Sequence, residues 1–348
     1  MSVRREPAIW FPAIRAGTGA DIFTERLCDG LKARGLRAEI AWLPHRAEYL
    51  PWSVAAPRAP AWANVVHVNS WLPRRFWPVG LPVVVTVHHL VHDPAYHPYR
   101  SAMQAAYHEL LIRRRELNAI RDAAAVATVS DYVRATVASF SGRKQIAVIH
   151  NWVDGKKFSP DPCVSSSSNG GFRLFMAGSR SRRKGIDLLP AFANELGPGF
   201  EIRHAGGRQG GVQPVVGVTE LGRVSEDELI REYRACDAVV SLSRYEGFGY
   251  TALEAMACGK PVVGFRCGAI DEVVVDGETG LLCGIDDLDA LGKICRRLAG
   301  DAPMACTFGQ AGRGRATSIF AEVRAIDAYM TIYQSLMVND EGRKDGCE

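Results

Sequence analysis

The sequence predicts an α/β protein made of two doubly wound domains, each built on a parallel sheet. Short apolar, β-branched runs alternate with helical patterns from one end of the chain to the other. Near-continuous apolar strands indicate sheets whose two faces are both covered by helices. The length of 348 residues also favours two domains over one.

The first half of the chain contains six apolar runs that are predicted strands. They are 7–14, 38–42, 64–68, 82–87, 123–129 and 145–150. Helical patterns lie between several of them, over 19–34, 101–121 and 131–140. These elements define a predicted N-terminal domain over 1–162.

A change of composition marks the predicted domain boundary. The stretch PDPCVSSSSNGG, residues 160–171, has no periodicity and is typical of a linker or exposed loop. After it the alternation resumes, with predicted strands at 173–178, 200–206, 237–243 and 260–265. Predicted helices follow at 186–196, 226–235, 249–258 and 287–299.

These elements place a C-terminal domain over 172–317. A last helical stretch, about 318–337, could pack on either domain, including back on the first. Two such domains are expected to bind ligands in a cleft where the carboxyl ends of their sheets face each other.

Composition limits the classes of function. Hydrophobic residues make up 47% of the chain and charged residues 23%, the profile of a globular protein with a real core. The net charge of +4 permits attraction to an anionic substrate or membrane surface but is too small to indicate nucleic acid.

Cysteine usage and hydropathy predict a cytoplasmic protein. The nine cysteines form no CxxC pair, which is typical of reduced thiols rather than disulfides or a zinc site. The N-terminal stretch is broken by Pro12 and Arg15 and does not have the pattern of a signal peptide. No apolar run reaches the roughly 18 residues of a membrane-spanning helix.

The stretch SRYEGFGYTALEAMACGKPVV, residues 243–263, is the strongest candidate site. Gly247 and Gly249 allow a sharp turn after a strand, and the start of the helix behind them favours an anion such as a diphosphate. Glu246 lies in the turn and Glu254 about two helical turns later, so they are not expected to form a general acid–base pair. Carboxylates placed in this way accept hydrogen bonds from hydroxyl groups. From these residues alone, a plain strand–turn–helix with surface glutamates remains the alternative.

This segment resembles the E-x7-E segment of the retaining glycosyltransferases of family 4, which have the GT-B fold of two Rossmann-like domains facing a central cleft. Further stretches agree in the expected order: VTVHHL (85–90), VATVSDY (126–132), VIHNWVDGKKFSP (148–160), residues 221–249 and GAIDEVVVDGETGLLC (268–283). The resemblance covers about residues 10–335.

The resemblance implies that a nucleoside-diphosphate sugar binds mainly to the C-terminal domain. Glu254 then holds the ribose hydroxyls, Glu246 holds the donor-sugar hydroxyls and Lys184 neutralises the diphosphate. The family arginine that precedes this lysine is replaced by Ser179, and Arg180 is the predicted second cation, with Arg182 and Arg183 expected to be solvated. The remaining implied donor contacts are Gly17, Gly19, His88, Gly222, Arg223, Gly247, Phe248 and Gly249.

Two patterns raise the question of a metal ion. The cluster of His88, His89, His92, Asp93 and His97 lacks paired ligands on one helical face, and neighbouring prolines indicate a loop. The stretch IDDLDALGK (285–293) contains an Asp-x-Asp pattern, but it precedes a helix, where Asp286 or Asp287 is a natural N-cap. We therefore expect no metal site and no required cofactor, with the nucleotide sugar as substrate.

The predicted activity is retaining transfer of a hexose-type sugar to a saccharide or lipid-linked saccharide in polysaccharide or glycoconjugate synthesis. Residues 44–62, 71–78 and 108–121 are rich in aromatic and basic side chains. They could rest on an anionic membrane, or they could be a solvated helix face and core aromatics. The alternatives to a transferase are a sugar-nucleotide epimerase, a phosphorylase or a non-catalytic sugar-nucleotide-binding module. The E-x7-E segment disfavours the epimerase, and the lack of a pyridoxal-phosphate lysine region disfavours the phosphorylase, whereas Ser179 leaves the binding module open.

Overall fold

The computed structural model describes residues 6–161, 171–207 and 215–344, with side chains described as far as 337. Most of the predicted linker, residues 162–170, lies outside the described residues. Contacts divide the chain into two units. Unit 1 comprises the described residues up to Asn151 together with those from Glu322 onward, and unit 2 runs from Trp152 to Ala321.

Unit 1 contains a six-stranded parallel sheet in the order β2-β1-β3-β4-β5-β6. Its strands are β1 (Ile9–Ile14), β2 (Ala38–Leu43), β3 (Val65–Asn69), β4 (Val83–Val87), β5 (Ala125–Thr128) and β6 (Ala147–Val148). Its helices are α1 (Gly19–Ala33), α2 (Arg46–Tyr49), α3 (Ala102–Tyr107), α4 (Arg113–Asp122) and α5 (Asp131–Ser141). The predicted helix over 101–121 is interrupted, because a π-helical turn, His108–Ile112, joins α3 to α4.

Unit 2 contains a second six-stranded parallel sheet, in the order β12-β11-β10-β7-β8-β9. Its strands are β7 (Phe172–Ala177), β8 (Phe200–Ala205), β9 (Val218–Gly222), β10 (Ala238–Ser241), β11 (Val262–Phe265) and β12 (Gly280–Cys283). Its helices are α6 (Leu189–Leu196), α7 (Glu226–Ala235), α8 (Tyr250–Ala257), α9 (Ile270–Val273), α10 (Leu288–Gly300) and α11 (Ala302–Ser318). The two parallel sheets with flanking helices confirm the predicted fold class.

Local sequence explains several of the boundaries in unit 2. Helix α7 begins with a capping box, in which the Ser225 hydroxyl accepts from the Glu228 amide and the Glu228 carboxylate accepts from the Ser225 amide. Helix α6 packs on β8 and helix α10 on β11 and β12, with a shared core that includes Phe192, Leu291 and Val263. Burial of these apolar side chains is the main favourable term in the stability of the unit.

The C-terminal helix α12 (Glu322–Lys344) belongs to unit 1. The Tyr333 hydroxyl lies 2.6 Å from Nδ1 of His67 in β3, and the Tyr329 hydroxyl lies 3.1 Å from Oγ1 of Thr86 in β4. His67 Nε2 lies 2.8 Å from the same Thr86 oxygen, so a buried hydrogen-bonded network joins the helix to the sheet.

Helices of the described residues are all too short or too polar to cross a lipid bilayer.

Candidate active site

The candidate site lies at the carboxyl edge of the unit 2 sheet, where the strand order reverses. Strands β7 and β10 are neighbours there, with β8 and β9 wound to one side and β11 and β12 to the other. Ligands of doubly wound sheets bind in the crevice at such a switch point. The loops that follow the two strands, residues 178–188 and 242–249, carry the predicted site residues.

Lys184 and Glu246 meet at this edge as a nearly buried ion pair. The Lys184 ammonium donates to Oε1 of Glu246, and a guanidinium nitrogen of Arg183 lies 3.8 Å from Oε2. Burial by itself would raise the pKa of Glu246, but the positive charges of Lys184 and Arg183 outweigh it and hold the pKa below its ordinary value. The carboxylate is therefore ionised at neutral pH, ready to accept hydrogen bonds from hydroxyl groups.

The arginines before Lys184 occupy different surroundings. Arg183 donates to the Tyr245 carbonyl at 3.0 Å, so the expectation that it is solvated is wrong. Arg180 instead donates to Oε2 of Glu220 at 3.0 Å, and the buried His204 lies 2.7 Å from the same oxygen. The cation beside Glu246 and Lys184 is thus Arg183. The side chain of Arg182 is exposed, as expected.

Gly185 fixes the path of the chain directly after Lys184. Its φ is +71°, and a Cβ placed on it would lie 2.1 Å from the carbonyl oxygen of Leu242. Only glycine fits both the left-handed backbone and this close approach. The two loops of the site are therefore packed backbone to backbone, which holds Lys184 beside Glu246.

Helix α8 presents its start to the same edge. Gly249 is the N-cap residue, with φ of 110°, and supplies no capping side chain. Glu254, further along the helix and nearly buried, accepts a hydrogen bond of 3.1 Å from the hydroxyl of Tyr233 in α7. Neighbouring Phe248 is buried against Phe320, with ring centroids 5.6 Å apart, so only the backbone of this residue is available for ligand contact.

Arg244 joins the two loops of the site by hydrogen bonds and was not among the predicted site residues. It is buried and donates to Asp187 at 2.8 Å, to Asp286 at 2.5 Å and to the Arg182 carbonyl at 2.8 Å. Its position two residues before Glu246 could have indicated that it belongs to the site. Its acidic partners could not be predicted, because they are distant in sequence.

The Asp-x-Asp pattern has structural partners for each carboxylate. Asp287 caps α10 by accepting from the Ala290 amide at 2.9 Å, and Asp289 accepts from the Lys293 ammonium at 2.7 Å. Asp286, which precedes the pattern, pairs with Arg244. The predicted N-cap is therefore confirmed at Asp287.

The predicted base-contacting turn lies at the end of β9. Gly222 is the last residue of that strand, and its carbonyl accepts from the Gly206 amide at 2.8 Å. Arg223 follows it and is exposed.

Unit 1 carries the other predicted residues at the carboxyl edge of its own sheet. Gly17 follows β1 and Gly19 opens α1, but the Ala16 and Gly17 amides donate to the carboxylate of Asp21 at 2.9 and 2.7 Å. His88 follows β4, and its ring packs edge-on against Phe23 with centroids 4.6 Å apart. Burial lowers the pKa of His88 to about 4, so its imidazole is neutral at neutral pH.

Three other members of the histidine cluster, His89, His92 and Asp93, have separate partners. His89 lies against Trp71, and His92 stacks on Phe140 with centroids 5.4 Å apart. Asp93 accepts a hydrogen bond of 2.6 Å from the Tyr132 hydroxyl.

Two family models match the chain, one mainly in unit 1 and one within unit 2. The model described as Glycosyltransferase Family 4 matches residues 21–157, and the model described as Glycosyl transferases group 1 matches residues 215–315. This chain is a GT4-type glycosyltransferase.

Curated relatives of this glycosyltransferase differ in how much of the chain they match. The lipopolysaccharide core biosynthesis mannosyltransferase LpsB of Rhizobium meliloti is 41% identical over 107 residues, which is 30% of each chain. A D-inositol 3-phosphate glycosyltransferase of Catenulispora acidiphila is 26% identical over an alignment covering 94% of this chain and 88% of the relative. The LpsB match thus spans under a third of that relative, and the Catenulispora match spans most of its relative at lower identity.

Solved structures show the same fold over nearly the whole glycosyltransferase. Sucrose-phosphate synthase from Thermosynechococcus elongatus superposes with a TM-score of 0.80 at 21% identity, covering 96% of this chain and 100% of that one. HepE of Anabaena, in complex with UDP and glucose, gives a TM-score of 0.73 at 18% identity, covering 95% and 100%. Both likenesses establish the GT-B architecture.

Proposed function

We propose that this glycosyltransferase moves a hexose from a nucleoside-diphosphate sugar to a saccharide or lipid-linked saccharide, with retention of the anomeric configuration. The observation that carries the proposal is the buried pair of Lys184 and Glu246, with Arg183 beside it, next to the start of α8. A cation suited to a diphosphate and a carboxylate suited to sugar hydroxyls are held side by side at the switch point of the sheet. HepE, which shares the fold, binds UDP and glucose, and this supports a nucleotide-sugar donor.

The proposed reaction needs no carboxylate nucleophile. The acceptor hydroxyl oxygen bonds to the anomeric carbon while the bond from that carbon to the diphosphate oxygen breaks. The acceptor proton passes to the leaving phosphate oxygen, giving the glycoside and a nucleoside diphosphate. Lys184 and Arg183 stabilise the negative charge that grows on the leaving group more in the transition state than in the ground state.

The donor contacts follow from the same proposal. Glu254 takes the ribose hydroxyls, Glu246 takes the sugar hydroxyls, and the backbone at 247–249 lies along the sugar and diphosphate. The neutral imidazole of His88 can donate or accept a hydrogen bond at the donor sugar. Because Lys184 and Glu246 are paired before the donor arrives, their charges are already held at the reacting end of the site.

Turnover of a panel of nucleoside-diphosphate sugars, with and without saccharide acceptors, tests this function. We expect release of nucleoside diphosphate that increases with an acceptor, and a product whose anomeric proton coupling in NMR matches that of the donor. Binding without turnover would instead support a non-catalytic module. Conversion of the donor to its epimer would support a sugar-nucleotide epimerase.

We also propose that no divalent ion is required for transfer. The observation is that Asp287 and Asp289 of the Asp-x-Asp pattern are engaged by the α10 cap and by Lys293, and that Asp286 is engaged by Arg244. Equal rates in EDTA and in added Mg²⁺ or Mn²⁺ are expected. A rate that falls at least tenfold in EDTA and returns with metal would contradict this.

A membrane contact is proposed for the groove along α4. The groove has a volume of about 710 Å3, and its lining includes Leu110, Arg113, Arg114, Leu117 and Arg121. Leu110 is 76% exposed and Met103, in the preceding helix, is 81% exposed. Exposed apolar side chains beside several arginines suit a surface of anionic lipid.

Vesicle sedimentation tests that contact. The full chain should pellet with vesicles of phosphatidylcholine and phosphatidylglycerol but not with phosphatidylcholine alone. Leu110→Ser combined with Arg114→Ser should abolish pelleting, whereas Val323→Ser with Arg324→Ser, an exposed pair elsewhere in unit 1, should not. Equal pelleting of both double variants would contradict the proposed surface.

A further inference from the structure

Unit 1 contains a ring-shaped cluster of aromatic side chains, none of which has a role in the proposed function. We call Trp71, His89, Tyr96 and His108 the aromatic cluster. The ring centroids are 5.6 Å apart for Trp71 and His89, and 6.2 Å apart for His89 and Tyr96. They are 6.1 Å apart for Tyr96 and His108, and 6.0 Å apart for His108 and Trp71, which closes the cluster.

The aromatic cluster lies at the edge of the sheet where ligands bind in this class of fold. Trp71 follows β3 and His89 follows β4, so both stand at carboxyl ends of parallel strands. His108 opens the π-helical turn between α3 and α4, and such turns are frequent at functional sites. Trp71, His89 and Tyr96 are half-buried, so part of each ring remains exposed.

Glu116 lies beneath Trp71 and fixes its ring. The carboxyl group is 0% exposed, and its Oε1 accepts a hydrogen bond of 2.9 Å from the indole nitrogen of Trp71. Burial raises the pKa of Glu116 to about 8, although the Trp71 hydrogen bond opposes the rise. The carboxyl group is thus mostly protonated and uncharged at neutral pH.

Two buried polar atoms at the cluster have no hydrogen-bond partner among the described residues. They are Oε2 of Glu116 and Nδ1 of His108. Buried polar atoms are nearly always paired, and leaving one unpaired costs about 1–3 kcal/mol. A ligand, or a water ordered by it, would supply the partner that Nδ1 of His108 lacks, and such a water would also pair with Oε2 of Glu116.

We propose that the aromatic cluster and Glu116 form a saccharide subsite that holds the sugar ring of the acceptor. A pyranose offers apolar C–H faces, which pack on aromatic rings, and hydroxyl edges, which suit neutral donors and acceptors. Glu116 is a positioning residue: it acts through Trp71 by fixing the plane of the indole. The inference rests on the proposed function, because it assigns the acceptor of that reaction.

Charge at the cluster favours a neutral sugar over a cationic ligand. After burial, the positive charge of Arg100 is the largest cause that lowers the pKa of His108, to about 4. An ammonium ligand would meet the same repulsion. A carboxyl group that is protonated in the free protein offers no fixed negative charge to offset it.

Saturation-transfer NMR on the full chain tests the subsite with defined probes: the methyl glycosides of mannose, glucose and galactose. At least one glycoside should show saturation transfer with the wild type. Trp71→Ala should weaken its binding about tenfold, the size of one aromatic contact. Trp62→Ala is the matched control, because Trp62 is also half-buried but precedes β3, at the opposite edge of the sheet.

The positioning role of Glu116 has its own signature. Glu116→Gln should bind the glycoside like the wild type, since an amide oxygen can still accept from the indole. Glu116→Leu should raise the acceptor KM about tenfold, as Trp71→Ala does, with a smaller change in kcat. Near-UV circular dichroism should report altered tryptophan packing in Glu116→Leu but not in Glu116→Gln.

Donor binding, measured by calorimetry with UDP-glucose and related nucleotide sugars, separates this inference from the proposed function. Wild-type donor binding with glycoside binding that is equal in wild type and Trp71→Ala would overturn the subsite alone, as would the absence of any glycoside signal in the wild type. Loss of donor binding in the wild type would overturn the proposed function instead.

Discussion

Gly185 is the residue on which the geometry of Lys184 depends most directly. We expect Gly185→Ala to lower the stability of unit 2 by more than the ~1–2 kcal/mol that a left-handed alanine costs, because its Cβ would also meet the Leu242 carbonyl at 2.1 Å. Gly142→Ala is the control: Gly142 has φ of 72° and nothing within 4 Å of the added Cβ. Denaturant unfolding of the two variants measures the difference, and equal losses would contradict the packing account.

Arg183 and Arg180 provide a second test at this scale. Arg183→Ala should lower kcat about 100-fold, because it removes a charge beside the leaving group. Arg180→Ala should lower it far less, since Arg180 is engaged by Glu220. Single-turnover rates on saturating donor distinguish the two, and a larger loss for Arg180→Ala would reverse the assignment.

Most of the candidate site could be predicted from the sequence, because Glu246, Gly249 and Glu254 lie within one short segment of strand, turn and helix. It assigned the second cation to Arg180 because spacing alone cannot show which side of the loop a side chain takes. In the structure, the Glu220 carboxylate from β9 holds Arg180 away from Lys184. Contacts between distant strands are not readable from local pattern.

At the scale of elements, the network that joins α12 to the sheet of unit 1 predicts a pH effect. Burial, with a smaller contribution from His88, lowers the pKa of His67 to about 3. The unfolded chain then binds more protons than the folded one as pH falls below about 6.5, so stability falls toward acid pH. The slope contributed by His67 is at most about 1.4 kcal/mol per pH unit.

Thermal unfolding of wild type and His67→Gln across pH 4 to 8 checks this slope. Glutamine lowers the stability at all pH values but should flatten the acid dependence. Parallel curves for the two proteins would show that His67 is not the titrating group.

Period and composition predicted the strands well where they are buried on both faces, as in β4 and β10. They did not identify β9, whose run VTELG is only partly apolar, or β12, whose apolar run GLLC is only four residues long. The interruption of the helix at His108–Ile112 also has no clear local signal, because its sequence, HELLI, has ordinary helix formers. The two buried residues of the turn, His108 and Ile112, make tertiary contacts that a local pattern does not show.

At the scale of the whole molecule, the C-terminal helix α12 packs in unit 1, although unit 2 precedes it in the chain. Ile326, Tyr329 and Tyr333 of α12 are buried in unit 1. A chain ending at residue 321 should therefore show faster hydrogen exchange in β3 and β4 and unchanged exchange in β7 to β12. Exchange that is unchanged throughout would show that α12 is not needed for the stability of unit 1.

The central claim is that Lys184 and Glu246 act together in sugar transfer from a nucleotide donor, Lys184 at the diphosphate and Glu246 at the sugar hydroxyls. The most direct measurement is the single-turnover rate of nucleoside diphosphate release in folded Lys184→Ala, beside Lys157→Ala as a control. Lys157 also pairs with a glutamate of unit 2, Glu226, but at its surface. We predict a loss of about 100-fold or more for Lys184→Ala and none for Lys157→Ala. A folded Lys184→Ala protein that releases nucleotide at the wild-type rate would contradict the claim.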